Sequence, residues 1–201
     1  MQDRTEPRKI GRRTVLAGAA FVPVTALRLT AQQTVDSVFS TPQKRCLEAF
    51  ANRLVPSDEY GPGAVECGVV EYIERSLAGP LAGGKPAILA AIDAVDATAR
   101  EMLGAPLAEL TPDKQDAVLS AIEKNAARGF EPNSAAFFAL VRRLTLEGMF
   151  SDPSYGGNRN FAGWDLIRYP GPRMAVAPDD QRMGVPVKPV RYSVNGGGHA
   201  H

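Results

Sequence analysis

Histidine is almost absent from this chain of 201 residues: His199 and His201 are the only two, and both follow a glycine run at the end of the sequence. A di-iron or haem site in a helical bundle needs histidines that project inward from the helices. A Ser–His or Cys–His catalytic pair needs a histidine beside the nucleophile. The sequence supports neither kind of site, and it has no C-x-x-C pair, C-x-x-C-H haem attachment or strand-borne G-x-G-x-x-G loop instead.

Cysteine is equally scarce, since Cys46 and Cys67 are the only two. In a helical hairpin that turns at residues 56–63, a rise of about 1.5 Å per residue offsets the two cysteines by roughly 7–8 Å along the helix axes. That offset is too large for easy bridging. We therefore predict buried free thiols. An internal disulfide is the alternative, because an oxidising compartment would permit one.

The sequence also lacks an apolar run of the roughly 20 residues that a transmembrane helix needs. Residues 17–27 are weakly apolar and contain Gly18 and Pro23, and they follow the paired arginines Arg12 and Arg13. Paired arginines before a modest apolar core are typical of a twin-arginine export signal, which carries folded cargo. We predict such a signal in residues 1–31, with a basic amphipathic helix or a disordered tail as the alternative.

Basic residues are concentrated in this leader. Residues 1–31 contain six basic and two acidic residues, a net charge of +4, which leaves −3 for the rest of a chain whose total is +1. No basic stripe lies beyond the leader, so we predict that nucleic acid is not a partner.

Helical periodicity is abundant between residues 41 and 150, where apolar residues recur three and four positions apart in five stretches. Thr41-Pro42 and Thr111-Pro112 are predicted to start helices, and Gly129 to stop the fourth. The five apolar faces are Leu47, Phe50, Ala51 and Leu54; Val65, Val69, Ile73 and Leu77; Leu89, Ile92, Val95, Ala99 and Leu103; Val118, Leu119, Ile122 and Ala126; and Phe137, Leu140, Val141, Leu144 and Met149. No useful strand pattern precedes residue 170.

These patterns predict an all-α protein with a bundle of about five helices, a Gly/Pro/aromatic-rich irregular segment and an extended C-terminal tail. We divide the chain into an export signal (1–31), a helical domain (32–172) and an extended or mobile tail (173–201). The tail contains Pro178, Pro186 and Pro189 and cannot form a core of its own.

Glycine, proline and aromatic residues are densest in residues 152–171, which we call the closing segment. This segment is too apolar for a linker and too rich in breakers for a helix or a central strand, so we predict a structured loop. It contains the only tryptophan, Trp164, together with Tyr155. The aromatics are open to three interpretations: a local core, a partner interface of the kind rich in Trp, Tyr and Arg, or a sugar-stacking platform.

Carboxylates offer two weaker hypotheses. Glu71 and Glu74 lie three residues apart on the second helix and could form an acid pair, but Arg75 beside them favours a solvated, salt-bridged face. Asp152 and Asn158 could belong to a small calcium loop. We expect Asp152 instead to cap backbone amides of the turn at residues 155–157. We predict no catalytic residue, cofactor ligand or metal ligand in this chain.

Two groups of motifs resemble the gluconate 2-dehydrogenase subunit 3 family, over about residues 40–172. The first group is Leu54-Val55-Pro56-Ser57-Asp58, Gly61-Pro62-Gly63-Ala64 and Val70-Glu71-Tyr72-Ile73-Glu74. The second is Asp152-Pro153-x-Tyr155-Gly156-Gly157-Asn158, Gly163-Trp164, Ile167 and Pro170-Gly171. Arg168 departs from the pattern, because the family commonly has a glycine at that place.

The resemblance implies a small, non-catalytic subunit of a periplasmic flavin dehydrogenase associated with the inner membrane. In such a complex a large subunit holds FAD and oxidises a sugar, sugar acid or alcohol, and a multihaem cytochrome c subunit often takes the electrons. The small subunit supplies the twin-arginine signal, read by the twin-arginine translocase, and supports folding and export of the flavoprotein.

We therefore predict a partner interface in the closing segment. Its residues are Tyr155, Gly156, Gly157, Asn158, Trp164, Arg168 and Pro170. The alternative function is a free-standing periplasmic sugar-binding or interaction protein that uses Trp164 and Tyr155.

Overall fold

The computed structural model of the chain describes residues 37–173 and 175–195. The predicted export signal with Arg12 and Arg13, and both histidines, lie outside these residues. The described part contains six α-helices: α1 (Thr41–Leu54), α2 (Val69–Ala78), α3 (Lys85–Leu103), α4 (Pro112–Glu123), α5 (Ser134–Phe150) and α6 (Ala162–Leu166). Its only β pairing is an isolated bridge between Asp58 and Gly61. The predicted all-α class is confirmed.

Helix α1 begins one residue earlier than predicted. Ser40, not Thr41, is the N-cap: its Oγ accepts a hydrogen bond from the Gln43 amide, and the Gln43 side chain accepts one from the Ser40 amide at 3.1 Å. This reciprocal pair is a capping box. Thr41 and Pro42 become the first two helical residues, where proline loses no helical hydrogen bond.

Two other helix boundaries differ from the prediction. Helix α2 begins at Val69 rather than near Val65, because Gly68 takes a left-handed conformation (φ +79°) that ends the preceding turn. Helix α4 ends at Glu123, and Asn125 at φ +60° turns the chain away before Gly129 is reached. Gly129 also has positive φ, but it lies in the loop rather than at the helix end.

Helix α5 lies at the centre of the bundle and packs against α1, α2 and α4. Phe137 of α5 meets Phe50 of α1 edge-on, with ring centroids 6.3 Å apart, and Phe130 lies 5.6 Å from Phe137 on its other side. A buried polar side chain on α5, Thr145, donates its hydroxyl to the Val141 carbonyl at 2.9 Å. None of the helices in the described residues is long and apolar enough to span a membrane.

Both cysteines are free and buried, which confirms the prediction of buried thiols. The Cys46 sulfur lies 3.7 Å from the Ile92 carbonyl, and the Cys67 sulfur 3.8 Å from the Pro62 carbonyl. Burial raises the pKa of both thiols. Both therefore stay protonated at neutral pH and unreactive.

Candidate partner interface

The closing segment caps the C-terminal end of α5. The last carbonyl groups of a helix have no partner within the helix. The Asn158 amide donates to the Gly148 carbonyl at 2.7 Å, and the indole Nε1 of Trp164 donates to the Phe150 carbonyl at 2.9 Å. The Asn158 side chain donates to the Ser151 carbonyl at 2.9 Å. The segment is therefore fixed on the end of α5 by hydrogen bonds that this helix needs.

Asn158 joins α5 to α6. While its Nδ2 donates to the end of α5, its Oδ1 accepts hydrogen bonds from the amides of Gly163 (3.0 Å) and Trp164 (3.3 Å), which lie in the first turn of α6. Asn158 is fully buried and has a φ of +46°, a conformation that asparagine tolerates better than most residues. One amide side chain thus satisfies polar groups of two helices.

Two glycines allow the closing segment to approach α5 closely. A Cβ at Gly157 would overlap the Gly148 carbonyl oxygen, and a Cβ at Gly163 would overlap the Met149 carbonyl oxygen. Backbone therefore packs directly on backbone at the end of α5. This close approach explains why the segment needs glycine at these positions without any appeal to flexibility.

Trp164 forms a small aromatic cluster within the chain. It is 4% exposed, and its ring centroid lies 5.3 Å from Phe161 and 5.0 Å from Tyr169, with the Tyr169 ring edge-on. The structure therefore supports the local-core interpretation, and the Trp164 ring is not exposed as the alternative sugar-stacking platform would require. The segment also contains the short helix α6, where the sequence predicted a loop without helix.

The end of the described chain folds back onto the closing segment as a strap, residues 188–195. The Val190 amide donates to the Pro170 carbonyl at 2.7 Å, where Gly171 (φ +87°) admits the close approach of the Val190 backbone. Arg191 forms an ion pair with Asp165. The predicted boundary at residue 172 stays a prediction.

Asp152 connects the strap to the start of the closing segment. Its Oδ1 accepts a hydrogen bond from the Ser154 amide at 2.9 Å, slightly earlier than the predicted turn at residues 155–157. It also accepts hydrogen bonds from the Ser193 hydroxyl and the Val194 amide. Partial burial by itself would raise the pKa of Asp152, but these hydrogen bonds outweigh it and lower the pKa. The carboxylate is therefore ionised at neutral pH.

The predicted interface residues fall into three groups by exposure. Gly157, Asn158 and Trp164 are buried, Gly156 and Pro170 are half-buried, and Tyr155 and Arg168 are exposed. The buried residues shape the closing segment from inside. Only the exposed ones lie where another molecule would meet them.

The two motif groups meet at the surface. Leu166 of α6 lies against the loop before α2, with its Cδ1 3.3 Å from the position that a Cβ would take at Gly61. A groove of about 430 Å³ opens between them. We call four of its lining residues, Tyr60, Pro62, Leu166 and Arg168, the docking face; Asn160, Ala162 and Asp165 complete the lining. Tyr60 is 79% exposed. Tyr60 and Leu166 were missed by the sequence reasoning, because their proximity depends on the fold.

The acidic residues of α2 do not form the predicted arrangement. Glu71 pairs with Arg159 of the closing segment at 3.4 Å, and Glu74 accepts the Val38 amide at 2.7 Å. Arg75 pairs with neither of them, so the salt-bridged face expected on α2 is wrong in its details. In the part of the chain that the structure describes, no group of three or more His, Cys, Asp or Glu residues is placed to hold a metal ion.

Residues 41–171 match the model of the family described as gluconate 2-dehydrogenase subunit 3. The chain belongs to this family. Neither a curated protein nor a solved structure gave a match. Membership in the gluconate 2-dehydrogenase subunit 3 family implies a place in a multi-subunit dehydrogenase complex. Both motif groups lie inside the matched region, whereas the strap follows it.

The departure from the family pattern at Arg168 has a backbone consequence. Arg168 has a φ of +55°, in the left-handed region where glycine is free of strain. A glycine, which the resemblance leads us to expect at this place, would suit the conformation that Arg168 adopts here.

Gly163→Ala is expected to displace the closing segment from the end of α5, because the added methyl group would overlap the Met149 carbonyl. We expect the free energy of unfolding to fall by about 2–3 kcal/mol and the emission of Trp164 to shift to the red. Gly83→Ala is the matched control, since nothing lies within 4 Å of its added methyl group. Denaturant unfolding and emission spectra measure both effects. Wild-type values for Gly163→Ala would contradict the close approach.

Arg168→Gly and Arg168→Ala both remove the exposed side chain, but only glycine relieves the positive φ. We expect the glycine variant to be more stable than the alanine variant by about 1 kcal/mol. Thermal unfolding of the two purified variants measures the difference. An alanine variant at least as stable as the glycine variant would show that residue 168 is not held in the left-handed region.

Proposed function

We propose that this chain is the non-catalytic small subunit of a periplasmic dehydrogenase associated with the inner membrane. Its large partner subunit would hold FAD and oxidise a sugar, sugar acid or alcohol, and a multihaem cytochrome c subunit would take the electrons. The observation that carries this proposal is the packing of the closing segment. Its buried motif residues Asn158 and Trp164 fix it on the end of α5. Exposed residues beside them, Leu166 and Arg168, line a groove.

The docking face has the composition of a binding hot spot. Tyrosine and arginine are enriched among residues that dominate binding energy, especially where apolar neighbours exclude water. Tyr60 and Arg168 line the same groove as Leu166. Ile167, next to Leu166 in sequence, is also exposed. A folded partner would bury these side chains.

The hydrogen bonds to α5 hold this surface in place before any partner arrives. A preorganised surface binds more tightly, because fewer side chains and loops have to be ordered when the complex forms. Because Asn158 and Trp164 fix the closing segment on α5, the part of the docking face that lies in this segment, Leu166 and Arg168, needs no folding step on binding. By binding only the folded flavoprotein, the chain would also stabilise it, since a ligand of the native state shifts the folding equilibrium.

The proposal also assigns an export role to the leader, residues 1–31. Arg12 and Arg13 would direct the chain to the twin-arginine translocase, and the bound flavoprotein would cross the membrane already folded. A large subunit without its own signal would depend on this escort. The FAD site, the substrate site and the redox chemistry would all belong to the partner.

The alternative, a free-standing sugar-binding protein, has less support. A stacking platform must offer an aromatic face to the sugar, and Trp164 is buried against Phe161 and Tyr169. Titration of the isolated chain with sugars, followed by Trp164 emission, would favour this alternative if the signal changed and saturated.

Leu166→Asp tests the docking face. We expect the variant to bind the flavin dehydrogenase subunit at least about tenfold more weakly, as is usual for a hot-spot residue. Met102→Asp is the matched control, because Met102 is an apolar residue of α3 with similar exposure. Calorimetric titration of the two purified subunits gives both affinities. Equal affinities for wild type and Leu166→Asp would contradict the assignment of this face.

The double change Arg12→Lys and Arg13→Lys tests the escort. Co-expressed with the flavin dehydrogenase subunit, it is expected to leave most of the dye-linked dehydrogenase activity in the cytoplasmic fraction. Arg4→Lys with Arg8→Lys is the control, since it makes the same change outside the arginine pair. Periplasmic flavoprotein at its wild-type level in the Arg12, Arg13 variant would rule out the escort role.

A further inference from the structure

A second groove borders the closing segment on the side of α2. It has a volume of about 370 Å³ and is lined by α2, the end of α5 and the turn that follows it. Its principal lining residues are Tyr72, Arg75, Pro80, Glu147 and Tyr155. We call it the Arg75 groove. It lies apart from the docking face, whose lining residues it does not share.

The family's Tyr-Gly-Gly motif shapes this groove around Arg75. Gly156 has a φ of +103°, and a Cβ there would lie 2.6 Å from Arg75 Cδ. Glycine at this position therefore makes room for the stem of Arg75 to lie across the turn. The guanidinium Nη1 then donates to the Ser154 carbonyl at 3.2 Å. The motif thus holds the arginine head group beside Tyr155.

Arg75 has no carboxylate partner among residues 37–173 and 175–195. The neighbouring acids of α2 are engaged elsewhere, Glu71 with Arg159 and Glu74 with the Val38 amide. The acidic residue that lines the groove, Glu147, accepts a hydrogen bond from the Tyr72 hydroxyl at 3.0 Å. The groove therefore offers an exposed guanidinium that donates to the Ser154 carbonyl and has no ion-pair partner in the described chain.

The groove also offers apolar surface. Tyr155 is 55% exposed, and Pro80 and Tyr72 form part of the lining. A guanidinium next to an aromatic ring is a frequent binding site for a carboxylate with apolar neighbours.

We propose that the Arg75 groove receives an aspartate or glutamate side chain of the dehydrogenase subunit, carried on a segment whose apolar neighbour packs on Tyr155. The carboxylate completes the ion pair that Arg75 lacks, and Gly156 keeps the guanidinium in position for it. This inference rests on the proposed function, because it names the chemistry by which the partner subunit is recognised.

Arg75→Gln is the direct test. It removes the charge and keeps a neutral polar side chain. We expect the affinity for the dehydrogenase subunit to fall by about 10–30-fold, since loss of one member of a desolvated charge pair costs at least this much. The salt dependence of binding should also become weaker, as one ion pair fewer is screened. The emission of Trp164 in the unbound variant verifies that the closing segment is intact.

Arg128→Gln is the matched control. Arg128 is exposed in the loop before α5, at the opposite end of that helix from the closing segment, and its loss should change the affinity less than about twofold. If wild type and Arg75→Gln bind the dehydrogenase subunit equally well, the inference is wrong and the proposed function stands. If the wild-type chain forms no complex with that subunit, both the proposed function and the inference are wrong.

A cross-linking measurement decides the case even if Arg75→Gln is poorly folded. A carbodiimide joins an amine to a carboxylate in contact with it, with release of the reagent as its urea. In the complex of Arg75→Lys with the dehydrogenase subunit, we expect a new cross-link between position 75 and an aspartate or glutamate of that subunit, located by mass spectrometry. A cross-link from position 75 to a second copy of this chain, or none at all, would overturn the proposal.

Discussion

The structure depends on how the C-terminal end of α5 is capped. This helix is central to the bundle, and its last carbonyl groups would be unsatisfied without the closing segment. Asn158 is the key residue, because its backbone and side chain together bind the end of α5 and the first turn of α6. An unmade hydrogen bond at such a buried position costs about 1–3 kcal/mol. The same contacts that stabilise the bundle therefore fix the position of every surface residue in the segment.

This capping explains the composition of the family motif in physical terms. Glycines are needed where the backbone of the closing segment contacts the backbone of α5. Trp164 is buried within the segment and donates a hydrogen bond to the Phe150 carbonyl. The exposed residues around them line two separate grooves. Leu166 and Tyr60 build one groove, and Tyr155 with Arg75 builds another.

Much of the fold could be predicted from the sequence, because amphipathic periodicity is a local property. The apolar faces predicted for the first, third and fifth stretches all lie within α1, α3 and α5. The errors arose where non-local contacts decide the outcome. Gly68 ends the turn before α2 in contact distance of the closing segment, and α6 forms among helix breakers because Asn158 caps its first turn. Arg75 was assigned to a salt-bridged face, since only the fold shows that Glu71 is engaged by Arg159.

We infer that buried motif residues of the closing segment position a surface and that exposed residues beside them bind the partner. Hydrogen–deuterium exchange of the chain, alone and with the flavin dehydrogenase subunit, tests it most directly. We expect binding of the partner to slow amide exchange in the loop around Tyr60, in the turn at Tyr155 and at Ile167–Tyr169. The amide of Asn158 should exchange slowly even in the unbound chain, because it donates to the Gly148 carbonyl. Slower exchange confined to the exposed faces of α3 and α4, with no change in the closing segment, would contradict it.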